Sequence, residues 1–203
     1  MVNTTKSLVA ETNATIGYTQ SDEITLAWIK EDFESQIFFN GKIQKMVSQL
    51  SAIATLWFNK CLGDYLPFIY ANKNPLFDAR VWNVPNQIEA ANCILWREQD
   101  ATRNSIQMAA QSVYSHRELE GKNCNLLQEM LFAKGINWDK YPECFKRGTF
   151  VKRIQKYVTV ELDGEPIDTI RSEIVSFNLP KLSSITNRVE VLFRGVEPIY
   201  DTQ

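Results

Sequence analysis

Residues Gly17 to Trp28 read GYTQSDEITLAW, with Asp22 and Glu23 adjacent in the middle of an alternating apolar run. Ile16 and Tyr18 precede the acidic pair and Ile24, Leu26 and Trp28 follow it, each set at the two-residue period of a half-buried strand. The pattern predicts a β-hairpin with Ser21, Asp22 and Glu23 at its turn. Two like charges at close range cost free energy unless a cation, hydrogen bonds or water compensates them. On an ideal strand, neighbouring side chains point to opposite faces, a restriction that a turn relaxes. The pair is therefore either solvated at a turn, where acids are common, or holding a metal.

Working outward, TTKSLVAETNA reads as a helix that stops at Asn13. After the hairpin, Ile43, Met46, Val47, Leu50, Ile53, Ala54 and Trp57 recur at three- and four-residue steps, one face of a helix of about five turns. Lys42, Lys45 and Gln49 flank that face. A Pro67 to Pro75 loop and a short strand, FDARVWNVP, lead to a second long helix from about Asn86 to Tyr114. Its buried side is expected to carry Ile88, Ala91, Leu95, Ile106, Ala109 and Val113, with Arg97, Asp100, Asn104 and Gln111 opposite. LLQEMLFAKGI reads as a short helix closed by Gly135, and Lys146 to Gly148 as a turn. The remainder is strand-like: TFVKRIQKYVTVEL, a turn at Asp163 and Gly164, then SEIVSF and NRVEVLF. This order predicts an α+β fold with helices on one face of an antiparallel sheet. The domain boundary is expected near residue 150, with 151–203 a β-rich extension packed on residues 1–150.

Composition limits the partners. The chain has 203 residues, 44% of them hydrophobic, enough for a sizeable core. Lys+Arg 22 against Asp+Glu 24 gives a net charge of -2, so no global basic field draws in nucleic acid or an anionic membrane, and phosphate binding must be local. The cysteines Cys61, Cys93, Cys124 and Cys144 form no CxxC pair, and the first residues lack the apolar core of a signal peptide, so a reducing cytoplasm is expected. His116 is the one histidine, which excludes a multi-histidine zinc site, and its polar surroundings, YSHRELEGKN, place it at the surface. No run approaches the ~20 apolar residues of a membrane span.

Taken together, YTQSDEITLAW, FFNGKIQKMVSQLSAIATLWFN, FDARVWNVP, WREQDATRN, GKNCNLLQEMLFAKGINW and KRGTFVKR, in this order, resemble the tRNA-His guanylyltransferase family, in particular its bacterial, archaeal and phage branch. The resemblance runs from about residue 4 to residue 153 and continues more faintly through SSITNRVEVLFRGVEP. It implies a polymerase-like palm domain that adds nucleotides to a tRNA 5′ end in the 3′-to-5′ direction. GTP and ATP would be the substrates, tRNA the partner, and a dimer or tetramer the assembly. In such enzymes a 5′-monophosphate is activated by a nucleoside triphosphate, and the 3′-hydroxyl of an incoming GTP displaces the activating group.

The resemblance also implies roles for named residues. Two magnesium ions, ~3.5–4 Å apart, suit the chemistry because they lower the pKa of an attacking hydroxyl and neutralise phosphate charge. Asp22 would be the shared ligand, and Glu23 its neighbour needed to assemble the site. Lys42 and Lys45 match basic positions facing a nucleotide triphosphate, and Lys122 with Asn123 a further triphosphate contact. Arg97, Asp100 and Asn104 match a polar helix face that handles nucleotide or tRNA.

Two features depart from the family pattern. Thr102 stands where eukaryotic members carry a histidine, which favours general repair of 5′-truncated tRNAs over strict tRNA-His specificity. The family also draws a first metal carboxylate from an Asp-Gly motif on a strand before this hairpin, whereas residues 1–15 contain one acid, Glu11, in a helical context. The isolated chain is therefore expected to be weak or inactive, and three explanations compete: the sequence is a mis-started fragment, the missing strand comes from a separately encoded chain, or the protein has lost catalysis and is a palm remnant that binds nucleotide or tRNA. A cyclase-like palm making cyclic nucleotides also places acids at a hairpin turn, but such domains carry a Gly-Gly pair where this chain has SDE.

Overall fold

The computed structural model describes residues 1–30, 36–162 and 165–201. Its first elements are α1 (Val2–Thr12), β1 (Ile16–Gln20), β2 (Glu23–Ala27), α2 (Ile43–Tyr65) and α3 (Phe68–Ala71). Next come α4 (Gln87–Gln111), α5 (His116–Leu119), α6 (Cys124–Ala133) and α7 (Glu143–Arg147), then β3 (Thr149–Leu162) and β4 (Glu165–Phe177). The four strands form one antiparallel sheet in the order β2-β1-β3-β4, and the fold is α+β and palm-like. Residues Met1–Thr19, Ile24–Pro85 and Phe150–Phe177 make one compact unit; Gln20–Glu23, Asn86–Thr149 and Asn178–Gln203 make another.

In the first unit, the alternation seen in the sequence becomes a buried β1, with Ile16 and Tyr18 inside. The Tyr18 and Phe150 rings lie 5.0 Å apart, and Phe150 in turn meets Phe177, its partner in the β3–β4 register. Gly17 is required here by close approach. A Cβ on it would stand 2.8 Å from Thr5 Cγ2 and 2.9 Å from Val9 Cγ2, so α1 lies directly on the strand. Trp28 Nε1 donates to Thr12 O at 3.0 Å and ties the end of α1 to the hairpin. Leu8 packs with Met46, Leu50 and Ala54 of α2, the face that the three- and four-residue steps identified.

Several expectations are corrected. The second helix runs on to Tyr65, and the Pro67 to Pro75 loop contains α3. FDARVWNVP is not a strand: Phe77, Ala79 and Val81 pack against the α2 cluster, but the backbone joins no ladder, and Phe77 N instead donates to Thr55 Oγ1 at 3.0 Å. NRVEVLF is not a strand either. Glu190–Arg194 form a wide π-helical turn closed by Gly195 in the left-handed region, because Val191, Leu192 and Phe193 are all buried and strand alternation would expose one of them. The Asp163–Gly164 turn lies outside the described residues.

In the second unit, α4 begins at Asn86, whose side chain accepts from Glu89 N at 3.0 Å, an N-cap that satisfies an otherwise unpaired helix amide. Its core joins Ile106, Ala109 and Ala110 to Leu127 and Leu131 of α6 and to Trp138. Ala91, Ile106 and Ala109 are buried as expected, but Ile88 and Val113 are exposed, and Ala90, Ile94, Glu98, Ala101, Ser105 and Ala110 complete the buried stripe. Small and polar residues set the buried face, which hydrophobicity alone did not reveal.

Candidate functional site

β1 ends at Gln20 and β2 starts at Glu23, leaving Ser21 and Asp22 as a two-residue turn. Ser21 takes a φ of 49° to close it. Both acids point to solvent, as the hairpin pattern predicts. They differ in their partners. Glu23 is ion-paired with Arg97 of α4, whose guanidinium lies 5.3 Å from the Trp96 ring centre, whereas Asp22 has no hydrogen bond or ion pair among the described residues.

One turn beyond Arg97, the Asp100 carboxylate accepts from Arg103 and, at 3.1 Å, from Asn104 Nδ2. Asp100, Asn104, Gln107 and Gln111 recur at four-, three- and four-residue steps and so share one face of α4. That face and the turn residues Gln20–Glu23 wall a polar cleft of about 310 Å³, to which Met108 adds a large apolar side chain. The structure thus brings together Asp22, Glu23, Arg97, Asp100 and Asn104.

It does not place the remaining expected residues in this cleft. Lys42 and Lys45 belong to the first unit, at the start of α2; both are exposed, and Lys45 Nζ lies 5.8 Å from the Phe39 ring centre. Lys122 is exposed ahead of α6. Asn123 caps that helix, its Oδ1 accepting from Leu126 N at 3.1 Å. His116 is exposed, as expected.

Two residues escaped the sequence reading. Gln107 belongs to the cleft stripe, and the four-residue step from Arg103 and Gln111 hid it among exposed polar positions. Glu98 is 2% exposed, its Oε2 accepting from Leu182 N at 3.0 Å while Oε1 finds no partner among the described residues. Burial pushes its carboxyl up to about 7, opposed by the Leu182 hydrogen bond and the nearby Arg147 and Lys181 charges. The signal was available: Glu98 follows Ile94 by four residues and precedes Ala101 by three, which puts it on the buried stripe.

Among the described residues no group of three or more His, Cys, Asp or Glu side chains converges as a metal cage. Magnesium, however, is commonly held by one or two carboxylates completed by water and substrate phosphates. The uncommitted, exposed carboxylate of Asp22 fits that mode. Glu23 is occupied by Arg97 and fits it less well.

The fold and this cleft define an α+β palm-like domain with a carboxylate-bearing hairpin turn. Comparison with known proteins narrows the class. The profile of the Thg1, tRNAHis guanylyltransferase family matches residues 1–85. A solved bacterial tRNA(His) guanylyltransferase (Thg1)-like protein in complex with ATP is 31% identical, with a TM-score of 0.75 over 95% of this chain and 76% of that one. A bacterial Thg1-like protein in complex with GTP is 30% identical, with a TM-score of 0.65 over 89% of this chain and 70% of that one. An uncharacterized protein of Acanthamoeba polyphaga mimivirus is 28% identical over 95% of this chain and 72% of its own length. The chain belongs to the tRNA-His guanylyltransferase family. No helix among the described residues is long and apolar enough to cross a membrane.

Proposed function

We infer that this chain is a magnesium-dependent nucleotidyltransferase that adds GTP or other nucleotides to the 5′ end of a tRNA in the 3′-to-5′ direction. The observation that carries this reading is the uncommitted Asp22 carboxylate at a hairpin turn beside the polar face of α4. Family membership, and the ATP and GTP complexes of bacterial relatives, support it.

In the activation step, a 5′-phosphate oxygen of the tRNA attacks the α-phosphorus of a nucleoside triphosphate and pyrophosphate leaves. In the transfer step, the 3′-hydroxyl of GTP attacks the tRNA 5′ phosphorus and the activating nucleoside monophosphate leaves. When bound, magnesium supplies a lowered hydroxyl pKa and neutralises phosphate charge. Asp22 would hold it, together with substrate phosphates. Glu23 fixes the turn through Arg97. Lys42 and Lys45, exposed at the start of α2 in the first unit, are assigned to triphosphate binding on the family resemblance alone. Repair of 5′-truncated tRNAs fits Thr102 better than strict tRNA-His specificity does.

A second reading is a palm remnant or subunit that binds nucleotide or tRNA without turning it over. The observation favouring it is the sparse donor set, with Glu23 engaged by Arg97 and Asp100 by Arg103 and Asn104. Labelled GTP incorporation into a 5′-monophosphorylated tRNA lacking its first nucleotide, with ATP and magnesium, decides between them. Incorporation abolished by Asp22→Ala supports the first reading. Binding of tRNA without turnover, unchanged by Asp22→Ala, supports the second.

A further inference from the structure

The cleft between the hairpin turn and α4 has an unusual chemistry for a protein that handles triphosphates: among the described residues no lysine or arginine lines it. Its three carboxylates are also largely committed, Glu23 to Arg97 and Asp100 to Arg103 and Asn104. Only Asp22 is left with an uncompensated charge. A bare phosphate chain has no counter-charge here and would meet a negative carboxylate.

The cleft does offer uncommitted neutral groups. The side chains of Gln20, Ser21, Gln107 and Gln111 have no partner among the described residues. A primary amide presents two donors and an acceptor, and a hydroxyl presents both functions. Gln107 and Gln111 are four residues apart on a rigid helix, so their amides stand one above the other along the cleft wall. Met108 adds a polarizable apolar surface of the kind on which a flat ring packs. Mixed donors and acceptors beside one apolar contact complement the edge of a nucleobase and the hydroxyls of its ribose.

We propose that Gln107 and Gln111, with Gln20 across the cleft, bind the base and ribose of a nucleotide and set which nucleoside the site accepts. This rests on the nucleotide-handling reading above and adds to it the residues that recognise the neutral part of the ligand. The nucleoside is either that of a free triphosphate or the 5′-terminal one of an RNA, and the chemistry of the cleft is the same for both.

The test is equilibrium binding by calorimetry to the full chain in magnesium buffer, with three probes: GTP, a short 5′-monophosphorylated single-stranded RNA, and inorganic tripolyphosphate. The double variant Gln107→Ala/Gln111→Ala removes two amides at net values of about 1 kcal/mol each, so binding of the recognised nucleoside weakens about tenfold or more. Gln107→Met keeps the approximate size and helix preference and removes the amide without adding charge; it weakens the same probe, which covers the case in which the double variant folds poorly. Weakening confined to GTP assigns the cleft to the free nucleotide, and weakening confined to RNA assigns it to the RNA end. Tripolyphosphate affinity stays within twofold. The proposal is overturned by equal loss for tripolyphosphate, by unchanged GTP and RNA binding in both variants, or by a wild-type chain that binds GTP and RNA no more tightly than tripolyphosphate. A chain that adds no nucleotide to tRNA yet shows the glutamine-dependent binding refutes the proposed activity and leaves this inference standing.

Discussion

The guanidinium of Arg97 is ion-paired with the carboxylate of Glu23, so two acids adjacent in sequence have different chemical environments. Glu23 is held from α4 while Asp22 is left to solvent. This asymmetry predicts unequal mutational effects. Asp22→Asn, nearly isosteric, should lower GTP incorporation at least 100-fold with no change in Tm. Glu23→Gln should lower it less, because its role is to position the turn. The ion pair is half exposed at Glu23, so a double-mutant cycle with Arg97→Met should give a coupling of about 1 kcal/mol or less in urea unfolding. Equal loss of activity from both single variants would refute the division of labour.

The buried Glu98 makes stability depend on pH. Its folded-state pKa of about 7 lies above the unfolded value of 4.5, so its contribution is fully present below pH 4.5 and is lost as pH rises toward and through 7. The loss is on the order of 3 kcal/mol at most. Glu98→Gln removes the titration, and its Tm should fall less than wild type between pH 5 and 8. Parallel Tm profiles for the two proteins would show that Glu98 does not titrate in this range.

Gly17→Ala should destabilise the first unit by about 1–3 kcal/mol, because the new Cβ must displace Thr5 and Val9 side chains of α1. Urea denaturation followed by tryptophan fluorescence reads this directly. A neutral effect would mean that α1 shifts off β1 at little cost.

The second unit offers a contrast on α4 and α6. Leu131 is fully buried in the Ile106–Trp138 cluster, and Leu131→Ala should cost about 2–5 kcal/mol. Ile88 stands at a hydrophobic position of the α4 pattern yet is 61% exposed, so Ile88→Ala should change stability by about 0.5 kcal/mol or less.

Lys42→Ala and Lys45→Ala should each raise the KM for GTP several-fold, with Tm unchanged because both side chains are exposed. An unchanged KM in the double variant would remove them from triphosphate binding.

The parts of the fold legible in the sequence are those where one local signal dominates. Ile16, Tyr18, Ile24 and Leu26 alternate on either side of an acidic turn, and only a hairpin satisfies that pattern. The periodic apolar positions after Asn86 marked the long α4, which begins there in the structure. The polar face of Arg97, Asp100 and Asn104 was visible for the same reason, since three- and four-residue steps fix which side chains share a face. Segments whose state depends on a distant partner were not legible. Phe77, Ala79 and Val81 alternate like a strand but have α2 as their neighbour and no strand edge. Val191, Leu192 and Phe193 are apolar and β-prone, and they are buried together by a local helical turn. Glu98 carries no apolar signal of its own, and only its place between Ile94 and Ala101 on α4 puts it on the buried face.

β3 and β4 run for 14 and 13 residues, while β1 and β2 have five each. From Gln155↔Ser172 toward Leu162↔Glu165 the two strands stay paired with each other, and Tyr157 in the middle of the ribbon is 80% exposed. The ribbon is in effect a cantilever, clamped where Phe150 and Phe177 meet the core and increasingly unsupported outward. Its amides should therefore exchange with deuterium in a graded series, slowest at Val151 and fastest near Val160 and Ile167, because each outward pair is lost by a smaller opening than the one before it.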